Sequence, residues 1–591
     1  MTIMKRKIFI GVAWPYVNGN LHVGHYAGYL LPADICARYH RLSGNDVLMA
    51  SGSDCHGTPI TVESDKRGRS PQEIVEEYHA KDINLFLNVL GLSYDLYTRT
   101  DTPHHHRIVQ NFFIKLLEAG YIFIDTTQQY YSEKEKKFLP DRYIVGTCPH
   151  CGFKDARSDY CEGCNKILEQ GEVINPLSKL SDSKVELRDT QHYFLDWSRM
   201  QPKLENYVTE YGRNWRDWIY QETRGWLKER LKPRAITRDL DWGVPLPVNR
   251  IPKDKLIKDI ENKRIYVWFD AVIGYYSASL LWARMQEYGL DQKKAELQVP
   301  SQEEETDLLN GQLADWWQPS PHEVPGTVSK HYYFMGQDNL VFHTLFWPGQ
   351  LMIYNSNLHL PDVICINKFL NLAGQKFSKS RGISIDIKEF VEKYGNDIVR
   401  FYLTYIMPEN KQASFYWEDF KEKVNSILIG NIGNFVHRSL SIAKGADINL
   451  IKDQQIKKEI EEEINKAFQN SRNFLENCQF RNYLEVIINL SAFGNKFFDT
   501  AKVWEIKKSD SENYFWALKQ LYLLIISIAY LLMPLMPKTS EEIFKMLGLR
   551  SPQLWPSLQN EVNYLNELVS QINTDTRSHP LFTKIETANL P

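Results

Sequence analysis

Lys7-Ile-Phe-Ile-Gly-Val12, running directly into Ala13-Trp-Pro-Tyr-Val-Asn-Gly-Asn-Leu-His-Val-Gly-His25, is the stretch on which the fold turns. Residues 7–12 have the length and apolar content of a buried strand. The proline, glycine and asparagine at 15–20 break it as a loop does. Helical spacing sets in near residue 23 and lasts to about residue 43. Asp46 to Ser51 reads as a second strand, closed by Gly52-Ser53-Asp54. Strand, glycine-containing turn and helix in succession make a nucleotide-binding α/β unit. A helix starting at His22-Val-Gly-His25 would aim its N–H groups and positive dipole end at an anion. Gly24 would let a base or ribose approach, and His22 and His25 would donate to phosphate oxygens. Taken alone, two histidines three apart are more often surface or metal-binding residues.

Outward from this unit, Arg264-Ile-Tyr-Val-Trp-Phe-Asp-Ala271, His331-Tyr-Tyr-Phe-Met-Gly-Gln-Asp338 and Val363-Ile-Cys-Ile366 are expected as strands returning to the same sheet. Residues 286–325, polar and acidic, are expected as a surface insertion. From 411 onward apolar residues recur at helical spacing with charges between them, which predicts an all-helical domain. The expected division is 1–119 and 236–385 as two halves of one catalytic domain, 120–235 as an insertion between them, 386–410 as a junction and 411–591 as the helical domain.

The bulk numbers agree with several domains: 591 residues exceed one ordinary core. Apolar residues at 43% and charged residues at 24% suit a soluble globular protein. The net charge of −3 advertises no nucleic-acid partner, so any RNA must meet local basic patches. The N-terminal residues do not read as a signal peptide. The apolar run Leu521 to Met536 has about 13 residues before Pro534, short of the roughly 20 that span a bilayer. It is expected as a buried helix of a bundle in a cytoplasmic protein without membrane contact.

Two further motifs carry chemistry. Cys148-Pro-His-Cys151 and Cys161-Glu-Gly-Cys164 are paired C-x-x-C knuckles suited to one tetrahedral, structural Zn²⁺. Four thiolates close the coordination sphere, so the metal would take no part in the reaction. Lys376-Phe-Ser-Lys-Ser380, after Gly374 and before Arg381-Gly382, offers Lys376, Lys379, Ser378 and Ser380 to a polyphosphate. In isolation it is also a plain solvated basic loop.

His-x-Gly-His near the N-terminus and Lys-x-Ser-Lys-Ser some 350 residues later resemble the two signatures of class I aminoacyl-tRNA synthetases. The resemblance covers nearly the whole chain. It implies an α/β Rossmann-type catalytic domain split by a zinc-knuckle insertion and followed by an all-α helical-bundle anticodon-binding domain. Ala13-Trp14-Pro-Tyr16, Asp54 within Gly52-Ser-Asp-Cys-His-Gly-Thr-Pro59, Trp268-Phe-Asp-Ala271-Val-Ile-Gly-Tyr275 and Phe342-His343-Thr-Leu-Phe-Trp347 are similar to the methionine-binding segments of the methionyl branch. A polarizable thioether packs well at aromatic edges, and Asp54 would accept the substrate's ammonium group. By the same resemblance Asn18, Gly24, Arg238 and Asp338 contact ATP, and Asn434, Arg438 and Trp504 read the anticodon. The implied reaction is activation of L-methionine with ATP and Mg²⁺ to methionyl-adenylate and pyrophosphate, then transfer to the 3′ end of tRNA(Met).

Phe377 departs from the family's usual methionine, and Val272 stands where proline is usual, which leaves the local pocket geometry open. The chain ends soon after the bundle, which makes a monomer the expectation. Rival expectations are a class I enzyme for leucine, isoleucine, valine or cysteine, a small-metabolite adenylyltransferase, and a non-catalytic RNA-binding paralogue. The insertion, residues 120–235, is too short for the editing domain of the large branched-chain enzymes. A thiolate-binding zinc would need an open position, an adenylyltransferase needs no helical domain, and no signature residue is missing.

Overall fold

The computed structural model describes residues 5–140, 143–158, 161, 163–164, 168, 171–318, 329–376, 384–558, 560–576 and 578–590. Five strands form one parallel sheet: β1 (Lys7–Val12), β2 (Asp46–Ser53), β3 (Leu96–Arg99), β4 (Lys330–Gly336) and β5 (Val363–Asn367). Their order is β5-β4-β1-β2-β3. Ile8, Phe9, Ile10 and Val12 are all fully buried. Alternate side chains of a strand point to opposite faces, so both faces of β1 are covered. The order reverses between β1 and β4, and ligands of such sheets bind at the carboxyl ends of the strands flanking that point.

A helix of three joined segments, Val23–His25, Tyr26–Leu30 in π geometry and Leu31–Leu42, follows β1. Asn367, at the end of β5, donates to Ala27 O within the π turn at 3.1 Å. It accepts in turn from Arg216 (2.7 Å), which also donates to Cys478 O (2.7 Å). Arg216 thereby ties the insertion, the sheet and the helical domain together. Arg400 and Asp34 form a fully buried ion pair at 2.7 Å, and Arg400 donates to Pro534 O. Removing either partner would strand a buried charge.

The insertion is built on the antiparallel pair Ile122–Ser132 and Glu186–Leu195, and a small sheet of Ile144–Thr147, Ala156–Arg157 and Ile174–Ser178 supports the cysteines. The C-terminal region is helical. Lys458–Glu476, Phe480–Thr500 and Ser511–Leu532 are its long members. The apolar run from Leu521 extends backwards into a 22-residue helix, Ser511–Leu532, which contrary to the expectation is long and apolar enough to cross a membrane, but 89% of its most apolar window is buried in the bundle, as expected.

Two expectations need correction. The run 264–271 does not return to the sheet. Lys263–Ile265 pairs antiparallel with Thr237–Asp239 and Val244–Pro245, and Val267–Asp270 is a helical turn. A short run rich in β-branched and aromatic residues cannot be told from a buried helical turn by periodicity. Nor is 286–325 wholly a surface insertion. Trp317 is fully buried, 5.3 Å from the Phe9 ring, and Glu305 is buried while accepting from Tyr276 and Tyr354; residues 319–328 lie outside the described residues.

Candidate functional site

A cavity of about 350 Å³ opens at the switch point between β1 and β4. Ala13, Trp14 and Tyr16 leave β1 along one wall, and Gly336, Asp338 and Asn339 leave β4 along another. His22, Gly24 and His25 form its rim. The two histidines also cap their own helix. Gly24 N–H donates to His22 Nδ1 (3.1 Å), and His22 N–H donates to His25 Nδ1 (3.2 Å). An Nδ1 that accepts carries no proton, so each neutral ring keeps its proton on Nε2. The Gly24 and His22 N–H groups are thus spent on imidazoles, Val23 N–H goes to Ile385 O, and each imidazole carries its own N–H at Nε2.

The amino-acid end of the cavity is aromatic, with one carboxylate. Asp54 lines it and is 4% exposed. It is held by its own backbone N–H to Pro15 O (2.8 Å) and by His56 N–H to its Oδ1 (3.3 Å). Burial, joined by the charge of Asp270, pushes its carboxyl well above the usual range. His56 bridges the pair, its Nδ1 lying 2.9 Å from Asp270 Oδ2. Burial, only partly opposed by Asp101, draws His56 down to about 4, so its imidazole is neutral. The partnership of Asp270 and His56 is long-range in sequence, and no local signal announces it.

Trp268 stacks on Phe342 at 4.2 Å and meets Tyr16 edge-on. Tyr275 lies 2.7 Å from His343 Nε2, and His343 Nδ1 lies 2.9 Å from Asn339 O. A carbonyl only accepts, so His343 carries its proton on Nδ1 and accepts from the tyrosine hydroxyl. Burial holds this imidazole down at about 4, against the Asn339 bond, and keeps it neutral. Trp14 fits a slot between two glycines: a Cβ on Gly52 would meet its ring at 2.4 Å and one on Gly274 at 2.7 Å. Ala271 and Val272 complete the wall, and Ala271–Ile273 keeps a tight helical turn although residue 272 is valine.

Not every expected residue arrives here. Trp347 is fully buried behind Tyr275, at 6.2 Å, and does not line the cavity. Arg238 lines a second cavity, its guanidinium 4.2 Å from the Tyr266 ring centre. Asn18 is half-buried and outside the cavity wall. Lys368, Phe369 and Leu370 line the cavity without having been expected.

Lys379, Ser378 and Ser380 lie outside the described residues. The chain enters that segment from Gln375–Lys376, paired with Leu370–Leu372. It leaves where Val23 N–H donates to Ile385 O (3.1 Å) and Ile387 N–H to Leu21 O (3.3 Å). The exit is thereby anchored beside His22, and the entry pairs with the strand that follows the cavity-lining Lys368–Leu370.

The four cysteine sulfurs lie within 4.8 Å of one another. Cys148 and Cys164 are 3.9 Å apart, and Cys151 and Cys161 are 3.6 Å apart. A tetrahedral zinc with bonds of about 2.3 Å has an edge of about 3.8 Å, so the donor set fits. His150 N–H supports Cys148 Sγ at 3.4 Å. It is the one such cluster among the described residues. The purified protein should hold one zinc per chain by elemental mass spectrometry, and Cys161→Ser should hold none; two ions per chain would contradict the closed site.

In the bundle, Asn434 is exposed at the start of Asn434–Ala443 and Arg438 lies one turn on. Arg438 pairs with Asp499 (2.8 Å) and covers the Phe498 ring at 4.3 Å. Trp504, 43% exposed, stacks on Phe498 at 5.9 Å. The structure brings all three to one end of the bundle surface, with Phe498 as an unexpected middle layer.

A family profile described as tRNA synthetases class I (M) matches residues 8–440, and one described as anticodon binding domain of methionyl tRNA ligase matches residues 451–590. The methionine–tRNA ligase of Roseiflexus sp. (strain RS-1) is 39% identical over 555 residues, covering 92% of this chain and 87% of that one. That of Thermococcus kodakarensis is 36% identical over 561 residues, covering 93% and 71%. The fold is shared with Mycobacterium tuberculosis methionyl-tRNA synthetase solved with methionyl-adenylate, at a TM-score of 0.72 and 21% identity over 98% of this chain and 100% of that one.

Proposed function

The chain belongs to the class I tRNA synthetase (M) family, and from that premise we propose how its residues divide the reaction. The enzyme activates methionine with ATP and transfers it to tRNA. The observation that carries the assignment of roles is one buried carboxylate, Asp54, in an aromatic cavity at the switch point, with the two Nε2–H donors of His22 and His25 at its rim.

Methionine enters with its ammonium on Asp54 and its thioether among Trp268, Tyr275 and His343, with Ala13, Trp14, Tyr16 and Ala271 closing the wall and Trp347 supporting it from behind. Its carboxylate oxygen attacks the α-phosphorus of ATP, the bond to the β-phosphate oxygen breaks, and pyrophosphate leaves. His22 and His25 stabilise the transferring phosphate, and Lys376 and Lys379 the departing charge; Asp338 holds the ribose and Gly24 makes room for the nucleoside. Asn18, Ser378 and Ser380 complete the ATP contacts. Magnesium would arrive with ATP and neutralise phosphate charge. A ribose hydroxyl of the tRNA 3′ end then attacks the carbonyl carbon and AMP leaves. No side chain becomes a covalent nucleophile; positioning and charge stabilisation supply the rate.

The proposed division of labour follows the chain: 1–119 and 236–385 catalyse, 120–235 carries the knuckle, 386–410 joins, and 411–591 reads the anticodon through Asn434, Arg438 and Trp504. We take the working unit to be a cytoplasmic monomer.

Lys379→Ala tests the phosphate role. Loss of a positioned charge from a transferring phosphate costs about 10²–10³-fold in rate. Rapid-quench measurement of adenylate formation should show that loss with methionine affinity little changed. A large drop in methionine affinity with an intact forward rate would refute the role.

A further inference from the structure

The cleft continues past Trp268. Behind the Trp268–Phe342 stack lies a second cavity, of about 410 Å³, between the catalytic core and the strand Arg234–Ala235. Trp197, Tyr266 and Phe346 give it aromatic walls. Two cations lie on these rings: Arg238 at 4.2 Å from Tyr266, and Arg234 at 5.7 Å from Phe346. Gln350 lines the cavity and is 1% exposed. Its Nε2 donates to Phe269 O at 3.1 Å. A carbonyl only accepts, so this bond fixes which way the amide points. Gln350 Oε1 is then a buried acceptor without a partner, a group that is costly to leave unmatched.

Aromatic walls, guanidinium groups on ring faces and one unmatched buried acceptor suit a stacked base with an exocyclic amine and an adjoining phosphate. The 3′ end of a tRNA is single-stranded, and its terminal cytidines and adenosine all carry such amines. We propose that this cavity receives one of those terminal bases. The amine donates to Gln350 Oε1, the phosphate lies against Arg234 and Arg238, and the strand is led past Trp268 to the methionyl carbonyl. The proposal deepens the tRNA-charging reading above and rests on it.

The test uses the wild-type enzyme loaded with methionyl-adenylate. Single-turnover transfer is measured to tRNA transcripts whose terminal cytosines are replaced, one at a time, by pyrimidin-2-one, or whose terminal adenine is replaced by purine. Each change deletes one exocyclic amine. One of the three should slow transfer about tenfold, and the same transcript should cost nothing further in Gln350→Met. A photoreactive base that keeps its amine (5-iodocytidine or 8-azidoadenosine) at that position should cross-link to the Arg234–Ile236 or Tyr266 wall of the wild-type protein, which decides the matter should Gln350→Met fail to fold. Transfer unaffected by all three deletions, independent multiplication of the two losses, or cross-links confined to other surfaces would overturn the proposal. Absence of both methionine-dependent pyrophosphate exchange and tRNA charging in the wild type would instead overturn the function on which it rests.

Discussion

Asp54→Asn is expected to lower kcat/KM for methionine in ATP–pyrophosphate exchange by roughly two to four orders of magnitude, the equivalent of about 3–5 kcal/mol for removing one partner of a buried ion pair. The carboxylate is the cavity's means of matching an ammonium group. Asparagine keeps the size and the hydrogen bond from His56 but supplies no charge, and the bound ammonium would sit unpaired among aromatic rings. Because an uncharged side chain suits this buried place, the variant should melt no lower than the wild type. The same carboxylate gives methionine binding a pH dependence. Burial and Asp270 raise its proton affinity in the empty pocket, so an ammonium must displace a proton at pH values where an ordinary aspartate is already ionised. Methionine affinity in the wild type should weaken as pH falls through that range, and in Asp54→Asn this dependence should disappear. Titration of methionine by intrinsic tryptophan fluorescence at several pH values measures both. A variant with near-normal affinity would place the ammonium elsewhere.

Trp504→Ala is expected to leave pyrophosphate exchange within twofold of the wild type while cutting kcat/KM for tRNA charging about 5- to 150-fold, the equivalent of about 1–3 kcal/mol for one stacked base. Trp504 is 43% exposed and rests on Phe498. Truncating it opens no sealed cavity in the bundle, so the loss should fall on RNA recognition alone. Arg438 is a poorer probe because its guanidinium already pairs with Asp499 and covers Phe498. Steady-state charging and exchange on the same preparation separate the two steps. Equal loss in both would mean that the substitution damages the fold.

What could be read from the sequence was what is local. A continuous apolar strand running into a glycine-histidine turn is contiguous, and so are paired cysteine knuckles and a bundle of amphipathic helices; each carries its physics within a few residues. The sulfurs of Cys148, Cys151, Cys161 and Cys164 accordingly gather as expected. What escaped is made by distant residues. Gly52 and Gly274 earn their place only as the two sides of the slot for Trp14. Asp270 acquires meaning only through His56. The run 264–271 reads as a strand because a short stretch of β-branched and aromatic residues has too few positions to separate the two periods; its helical turn lets Trp268 face the cavity while Phe269 and Asp270 turn inward. The strand Thr237–Asp239, paired with Lys263–Ile265, sets Arg238 at the second cavity, a position that only the long-range pairing of these strands determines.

The most direct test of the whole account is ATP–pyrophosphate exchange with a panel of amino acids and no tRNA. Exchange driven by methionine, and by none of leucine, isoleucine, valine or cysteine, is the expected result, since the cavity joins a single ammonium-binding carboxylate to a neutral aromatic wall. Exchange driven by a different amino acid, or by none of them, would contradict it.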